Sequence, residues 1–287
     1  MDLYSETKFL MNKYGIFANK SLGQNFLIDE SVIEDAITSA KINKEDMVIE
    51  IGPGLGTLTK YLLDTAGKVI CVELDSRMID ILKERFFLYK NFEIINEDIL
   101  KVNLNELIRK EKLGNKFNKV KIVANLPYYI TTPIIMKLLE ERLDIESITV
   151  MVQKEVAKRL TAVPGDKNTG AITYAVYYYA IPEEIRLVPN TSFIPEPEVE
   201  SEVIKLTLRN ELAVKVKDEE LFFKIIKASF MQRRKTLING ISNSGILLKD
   251  EIQEILNEMK IDERVRGEAL TINQFAEISN IISSREW

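Results

Sequence analysis

The stretch Glu50–Thr59, EIGPGLGTLT, decides the fold. Three glycines, Gly52, Gly54 and Gly56, directly follow the apolar run MVIEI. Glycines in this position let a backbone turn tightly and come close to a ligand. The spacing departs from the dinucleotide-binding fingerprint, because Thr57 stands where its third glycine would be. A plain tight turn also fits a lone G-x-G, so the interpretation depends on the rest of the chain.

Strand and helix signals alternate on both sides of this loop. Strand-like runs lie at 46–52, 68–75, 92–98, 120–126, 147–153, 183–188 and 200–208. Helical periods lie between several of them, at 57–67, 76–87 and 131–143. Because strands that alternate with helices form parallel sheets, we predict an α/β fold with a doubly wound, mostly parallel, seven-stranded Rossmann-like sheet.

The pattern changes after Leu208. Residues 218–283 show only amphipathic helical periods. We therefore predict two domains, an α/β domain at 1–208 and a smaller all-helical domain at 209–287.

Polar side chains stand where successive predicted strands end. Glu73 ends the second strand, Asp98 the third and Asn125 the fourth. In an open α/β sheet, ligands bind beyond the carboxyl ends of the strands. A carboxylate at the position of Glu73 is placed to accept hydrogen bonds from two ribose hydroxyls. The sequence thus predicts one ligand site, which the glycine loop and these three residues share.

The composition excludes several kinds of chemistry and location. The chain contains no histidine and one cysteine, Cys71. Catalytic triads that need histidine and imidazole zinc sites are therefore ruled out, and we predict no metal. We interpret Cys71 as a buried packing residue and expect a cytoplasmic protein, since one cysteine forms no internal disulfide. No apolar run approaches the roughly 20 residues that span a bilayer, so we expect no membrane contact.

A local basic stretch contrasts with the net charge of −5. Residues 222–249 contain six lysines and arginines and no acidic residue. Such a patch can bind phosphate on an otherwise acidic protein, and a solvated helix face fits it equally well.

Seven motifs together resemble a known family. In chain order they are SLGQNFLID, EIGPGLGTLT, VELD, NEDIL, NLPYYITTP, FIPEPEVESEVI and RRKTL. From about Gly23 to Phe275 the chain resembles the ribosomal RNA adenine N6,N6-dimethyltransferases, specifically the small-subunit enzymes associated with kasugamycin sensitivity. The resemblance implies S-adenosylmethionine as methyl donor. It also implies two adjacent adenosines in the 3′-terminal hairpin loop of small-subunit rRNA as substrate, within an immature 30S particle, and we expect a monomer.

The resemblance also assigns cofactor contacts. They fall on Asn25, Leu27, Gly52, Glu73, Asp98 and Asn125, and we also predict a cofactor contact at Gly54 of the same glycine loop. From the residues alone, Asn25 also fits a helix cap and Asp98 a turn residue.

The motif NLPYY fits the methylation of an exocyclic amine. The lone pair of adenine N6 is delocalised into the ring, so a site must accept hydrogen bonds from both of its hydrogens and draw the nitrogen toward tetrahedral geometry. The Asn125 side-chain oxygen can be one acceptor, and the carbonyl of Leu126 or of Pro127 the other. Proline stiffens the turn that aims that carbonyl.

Aromatic side chains complete the predicted base site. Tyr128 supplies a face on which a flipped base stacks, and we expect its ring face but not its hydroxyl to be used. By resemblance, Phe193 closes the opposite face. We interpret Tyr129 as a packing residue.

The RNA contacts are predicted on Arg233, Arg234 and Lys235. A helix end with basic residues near its C-terminus is the alternative interpretation of this segment. The chain departs from the family pattern at Thr169, which precedes Gly170 where an aromatic residue is common, so no contact is carried over to that loop.

Three rival functions remain open at this point. The related D/N-P-P-Y motif occurs in DNA-adenine and glutamine methyltransferases, but leucine replaces its first proline here. A large-subunit adenosine methylase that confers macrolide resistance has similar motifs. The third is an assembly factor whose main role is to bind immature 30S particles.

Overall fold

A seven-stranded sheet forms the centre of the structure, a computed structural model that describes residues 2–18, 23–114, 117–166, 168–232 and 234–285. Its strands are β2 (Met47–Ile51), β3 (Lys68–Glu73), β4 (Phe92–Asn96), β5 (Val120–Asn125), β6 (Ser147–Gln153), β7 (Ala180–Val188) and β9 (Ser201–Leu208). All seven predicted strands are confirmed. Two further strands, β1 (Phe26–Leu27) and β8 (Phe193–Ile194), form a separate antiparallel ribbon.

The strand order across the sheet is β4-β3-β2-β5-β6-β9-β7. The pairs β2–β3, β3–β4, β2–β5 and β5–β6 are parallel, and β9 runs antiparallel to β6. The predicted mostly parallel sheet is confirmed. The chain moves outward from β2 to β4 and then returns to β5, so the order reverses between β2 and β5.

Helices precede the sheet, connect its parallel strands and follow β6. They are α1 (Leu3–Tyr14) and α2 (Glu30–Ala40) before the sheet, then α3 (Thr57–Thr65), α4 (Ser76–Arg85), α5 (Leu104–Gly114), α6 (Thr131–Glu140) and α7 (Lys154–Thr161). The predicted helices at 57–67, 76–87 and 131–143 correspond to α3, α4 and α6. Within the described part of the chain, no helix is both long and apolar enough to cross a membrane.

The inner strands are almost wholly buried, and they include one buried ion pair. All five residues of β2 are buried, and Lys121 on β5 is 1% exposed. The Lys121 Nζ lies 2.8 Å from Asp46 Oδ2 and 2.6 Å from the Lys41 carbonyl. This pair compensates two buried charges at the amino ends of the two central strands.

The chain forms two compact units. The first contains Met1–Ala157 and Pro182–Leu208, and the second contains Lys158–Ile181 and Arg209–Trp287. The predicted boundary after Leu208 coincides with one unit boundary, whereas Lys158–Ile181 groups with the C-terminal helices. The division of the chain into a methyltransferase domain at 1–208 and an RNA-binding domain at 209–287 stays a prediction.

The second unit is helical, as its sequence predicts. Its helices are α8 (Ala171–Tyr179), α9 (Glu219–Met231), α10 (Leu237–Asn243), α11 (Lys249–Glu258) and α12 (Ile272–Ile282).

Tyrosines explain why α8 belongs to this unit. The Tyr174 ring meets the Phe275 ring edge-on at 5.0 Å, and its hydroxyl donates to the Leu270 carbonyl. Tyr178 and Tyr179 both donate to Glu219 at the start of α9. These are long-range contacts, which the local pattern of AITYAVYYY does not reveal.

Candidate functional site

A cavity opens at the carboxyl ends of β2, β3, β4 and β5. Ten of the predicted site residues line it, namely Asn25, Leu27, Gly52, Gly54, Glu73, Asp98, Asn125, Leu126, Pro127 and Tyr128. Segments that are distant in the chain therefore meet at one rim of the sheet, as expected for an open α/β fold.

The glycine loop has the conformation that its sequence predicts. Gly52, Gly54 and Gly56 have φ angles of 67°, 57° and 82°, in the left-handed region that favours glycine. A Cβ atom on Gly52 would meet nothing within 4 Å, whereas one on Gly56 would lie 2.6 Å from the Phe86 ring. Gly52 thus keeps the backbone accessible beside the cavity, and Gly56 permits close packing behind it.

The Glu73 carboxylate is buried and held by backbone amides. Its Oε2 accepts from the Gly54 amide at 3.1 Å, and its Oε1 accepts from the Asp75 amide at 2.8 Å. Burial raises the pKa of Glu73 above its ordinary value, and the backbone donors act against this rise. Because each carboxylate oxygen has a second lone pair, Glu73 can still accept from two adjacent hydroxyls.

The segment Gly23–Leu27 joins two sides of the cavity. The Gln24 Nε2 donates to Asp75 Oδ2 at 3.0 Å, two residues beyond Glu73. The Asn25 carbonyl accepts from Asn125 Nδ2 at 3.1 Å.

This last hydrogen bond fixes the orientation of the Asn125 amide. A backbone carbonyl oxygen can only accept, so the atom 3.1 Å from the Asn25 oxygen is the side-chain nitrogen. The Asn125 Oδ1 is therefore the acceptor that this side chain offers in the cavity.

The two candidate backbone acceptors differ in their existing partners. The Pro127 carbonyl already accepts from the Ile130 amide at 3.2 Å and from the Thr131 hydroxyl at 3.0 Å. The Leu126 carbonyl accepts none of the hydrogen bonds found among the described residues. Leu126 is also anchored, because its amide donates to the Met151 carbonyl at 3.1 Å. This geometry favours Leu126 over Pro127 as the second acceptor.

The two tyrosines of NLPYY both line the cavity. Tyr128 is half-buried, and its hydroxyl lies 2.7 Å from Ser201 Oγ. Tyr129 is 57% exposed, so the interpretation of Tyr129 as a packing residue is wrong. Its ring stands over the segment before Asn25, where a Cβ on Gly23 would lie 3.3 Å from it.

Phe193 does not line the cavity, although its strand partner Leu27 does. It is 1% exposed, pairs with Leu27 in the β1–β8 ribbon and belongs to the hydrophobic core. The structure does not bring its ring to the cavity lining, because the core encloses it. The second stacking face of the base site stays a prediction.

Two residues with alternative interpretations can now be placed. Asn25 is not a helix cap, because Asp29 caps α2 and accepts from the Ser31 amide at 3.1 Å. Asp98 has the contact of a turn residue, since its Oδ1 accepts from the Leu100 amide at 2.9 Å, and it also lines the cavity, so its cofactor contact stays a prediction.

Among the apolar lining residues that the sequence reasoning missed, two directly follow predicted site residues. Leu74 is 51% exposed and lines the cavity, as does Ile99 beside Asp98. A leucine between two acids at a strand end, as in VELD, is the signal that could have indicated an exposed apolar contact.

The predicted RNA segment lies between α9 and α10. Arg234 and Lys235 are exposed, and Arg233 lies outside the described residues. Because α9 ends at Met231, both described residues follow the helix and do not belong to its last turn.

Comparison with known proteins places the chain in a family. The model of the family described as "Ribosomal RNA adenine dimethylase" matches residues 16–284. The chain belongs to the ribosomal RNA adenine dimethylase family. It is 49% identical over 282 residues to ribosomal RNA small subunit methyltransferase A of Clostridioides difficile (strain 630), which covers 98% of this chain and 96% of that protein. It is 51% identical to the protein of the same name from Lachnoclostridium phytofermentans, over 98% of this chain and 97% of that protein.

Solved structures agree with this membership. A dimethyladenosine transferase from Plasmodium falciparum superposes with a TM-score of 0.73 and 28% identity, over 88% of this chain and 95% of that one. The 23S rRNA methyltransferase ErmE shares the fold, with a TM-score of 0.67 and 22% identity over 90% of this chain and 100% of that one.

The dimethylase also carries a buried carboxyl at its cavity, Glu50. The residue is 1% exposed, and the Cys71 thiol donates to its Oε2 at 3.4 Å. Burial raises the pKa of Glu50 to about 7, the neighbouring Thr59 and Cys71 side chains oppose the rise, and the nearby Glu73 charge adds to it. The prediction that Cys71 is buried is confirmed. Among the described residues, no three His, Cys, Asp or Glu side chains cluster as a metal site would require.

Glu50→Gln should change the pH dependence of stability. The folded-state pKa of about 7 lies above the ordinary 4.5, so the folded state retains a proton that the unfolded chain loses as pH rises. Wild-type stability should therefore fall between pH 4.5 and 7 and level off above, with a total loss of at most about 3 kcal/mol. The variant, which stays neutral, should gain in relative stability across this window. Urea unfolding at about pH 5 and about pH 8 measures the change.

Glu45→Gln is the matched control, because Glu45 is exposed just before the same strand. This variant should change the free energy of unfolding by the same small amount at both pH values. If Glu50→Gln shifts the free energy of unfolding by the same amount at both, Glu50 does not titrate in this window.

Proposed function

We propose that this dimethylase transfers methyl groups from S-adenosylmethionine to the N6 amines of two adjacent adenosines in the 3′-terminal hairpin loop of small-subunit rRNA. The observation that carries the proposal is the orientation of Asn125, whose Nδ2 is bound to the Asn25 carbonyl and whose Oδ1 is left as an acceptor. The names of the small-subunit relatives support the choice of rRNA.

The cavity fits a methyl donor that carries a ribose and a purine. Gly52 leaves open space beside its backbone, and Glu73 presents a fixed carboxylate to paired hydroxyls. Leu74 and Ile99 offer apolar contacts next to Asp98, as a flat aromatic ring requires. When bound, S-adenosylmethionine supplies a methyl group that is already activated on a sulfonium centre.

The protein's own contribution is to position the adenine amine. In the first transfer, Asn125 Oδ1 accepts a hydrogen bond from one N6 hydrogen and the Leu126 carbonyl accepts from the other. In the second transfer, the one hydrogen left on the monomethylated amine is held by one of these two acceptors. Both acceptors are fixed before the substrate arrives, Asn125 by the Asn25 carbonyl and Leu126 by the Met151 carbonyl. As the nitrogen becomes tetrahedral, its hydrogens turn toward these acceptors, so the hydrogen bonds strengthen in the transition state.

Tyr128 holds the flipped base by stacking. Its ring lines the cavity immediately after the two acceptors in the chain. Stacking on an aromatic side chain contributes about 1–3 kcal/mol per base. This contact favours the extruded base before any chemistry takes place.

The second unit supplies the proposed RNA contacts. Arg233, Arg234 and Lys235 bind phosphate groups of rRNA within an immature 30S particle, independently of base identity. The enzyme acts as a monomer in the cytoplasm, where this substrate is assembled.

Transfer of labelled methyl from S-adenosylmethionine to unmodified 30S subunits tests the proposal. Nucleoside mapping should find two adjacent N6,N6-dimethyladenosines in small-subunit rRNA. Label that appears only in large-subunit rRNA, or no label on either subunit, would contradict it.

Glu73→Gln should weaken the binding of S-adenosylmethionine. The ribose hydroxyls would lose a charged acceptor, which costs about 1.5–3 kcal/mol and raises Kd by about 10- to 100-fold. Titration calorimetry measures the change. Glu93→Gln on the neighbouring strand β4 is the control and should bind normally, because Glu93 pairs with Lys68 outside the cavity. A Kd for S-adenosylmethionine that stays at the wild-type value in Glu73→Gln would show that Glu73 does not contact the cofactor.

Asn125→Ala should lower turnover much more than RNA affinity. The amide acts mainly when the amine becomes tetrahedral, so we expect a loss of roughly 10²–10³-fold in the rate of methyl transfer, as for removal of one preorganised hydrogen-bonding group. Single-turnover transfer on saturating 30S subunits measures it. Asn118→Ala, an exposed asparagine before the opposite end of β5, should retain the wild-type rate. Equal rates for wild type and Asn125→Ala would contradict the proposed role of Asn125 as a hydrogen-bond acceptor in the transition state.

Changing Arg233, Arg234 and Lys235 together to glutamine should weaken rRNA binding and its salt dependence. The negative slope of log affinity against log salt concentration should become shallower by about 2–3, because fewer counterions are released. The affinity for S-adenosylmethionine should not change. A matched triple variant of the exposed lysines Lys83, Lys90 and Lys110 loses the same charge elsewhere. If both triple variants flatten the slope equally, the salt dependence reflects the net charge of the protein and not contacts of this segment with the RNA.

A further inference from the structure

The stretch FIPEPEVES ends on a buried serine that contacts the base site. Ser201 is the first residue of β9, is 0% exposed and pairs with Gln153 across the sheet. Its Oγ shares a hydrogen bond of 2.7 Å with the Tyr128 hydroxyl. The motif that was expected to supply the Phe193 ring thus contacts a cavity-lining side chain, Tyr128, through a different residue.

The Tyr128 ring is held at both of its ends. At the backbone end, the Leu126 amide is bound to β6 and the Pro127 carbonyl closes the turn with Thr131. At the other end, the only hydroxyl contact among the described residues is the one to Ser201. A ring that is fixed at both ends loses little conformational freedom when a base stacks on it.

The surroundings of the Tyr128 hydroxyl favour its neutral form. Burial raises the pKa of the Tyr128 hydroxyl, and the hydrogen bond with Ser201 opposes only part of this rise. The phenol therefore stays protonated at neutral pH, and no charge is introduced beside the base.

We propose that Ser201 is a positioning residue that sets the plane of the Tyr128 ring for base stacking through the hydrogen bond between their hydroxyls. The inference rests on the proposed function, because it assigns the ring to the target adenine. It differs from the expectation drawn from the sequence, in which the Tyr128 hydroxyl had no role. Tyr128→Phe and Ser201→Ala are then expected to have the same defect, since each removes the same hydrogen bond.

A double-mutant cycle tests this in methyl transfer to unmodified 30S subunits. Tyr128→Phe and Ser201→Ala should each lower the single-turnover rate at subsaturating subunits by about two- to tenfold, the range for one hydrogen bond. The double variant should be no slower than the slower single variant, because nothing further is lost. A double variant whose defect is the product of the two single defects, or a Ser201→Ala rate equal to wild type, would overturn the proposal.

Ser147→Ala is the matched control. Ser147 lies at the opposite end of the β6–β9 pair, is buried to the same degree, and its hydroxyl has no partner among the described residues. It should retain the wild-type rate. The affinity of Ser201→Ala for S-adenosylmethionine, measured by calorimetry, should also equal that of wild type, and a loss there would show a general defect of the site and overturn the specific role.

A second measurement is independent of activity. With 3-fluorotyrosine placed at position 128 in the full-length protein, the fluorine resonance should move toward its unfolded value in Ser201→Ala and stay in place in Ser147→Ala. A resonance that is unchanged in Ser201→Ala would refute the positioning role. If the wild-type enzyme methylates no 30S subunit but the resonance moves as expected, the proposed function fails while the contact between Ser201 and Tyr128 stands.

Discussion

The parallel pairing of β2 and β5 is the constraint on which the site depends. The chain moves outward from β2 through β4 and re-enters the sheet at β5, so the carboxyl ends of four strands face one cavity. At the amino ends, Lys121 and Asp46 form a buried ion pair that a shift in register would separate. The opposite ends then carry Glu50 and Asn125, whose positions follow from the same register. Packing at the amino ends of the strands thus helps to position the polar side chains at their carboxyl ends.

Much of the fold could be predicted from the sequence, because its strands are short, β-branched and separated by helical periods. The antiparallel direction of β9 could not, since a strand's composition does not depend on its direction. The ribbon between Phe26–Leu27 and Phe193–Ile194 was missed because two residues give no periodicity. The assignment of Lys158–Ile181 to the second unit depends on tyrosine contacts with residues almost a hundred positions away, such as Leu270.

The candidate site was predictable where residue type and strand end coincide. Glu73, Asp98 and Asn125 all met that condition and line the cavity. Pairwise contacts were not predictable, because they depend on side-chain direction. The core encloses Phe193, Tyr129 faces outward, and the Tyr128 hydroxyl meets a serine 73 positions later in the chain. Resemblance transfers a residue's position, and the structure is needed to show which way its side chain points.

The hydrogen bond from Asn125 to the Asn25 carbonyl has a chemical consequence beyond rigidity. A primary amide has nearly the same shape when its oxygen and nitrogen are exchanged, so packing alone distinguishes the two orientations poorly. In the reaction that we propose, the reversed amide would point its own hydrogens at those of the adenine amine and repel them. A carbonyl 100 residues away in the chain thus fixes the polarity of the side chain, which presents an acceptor and not a donor to the cavity. The conformation of the Gly23–Leu27 segment therefore determines the electronic character of the site as well as its shape.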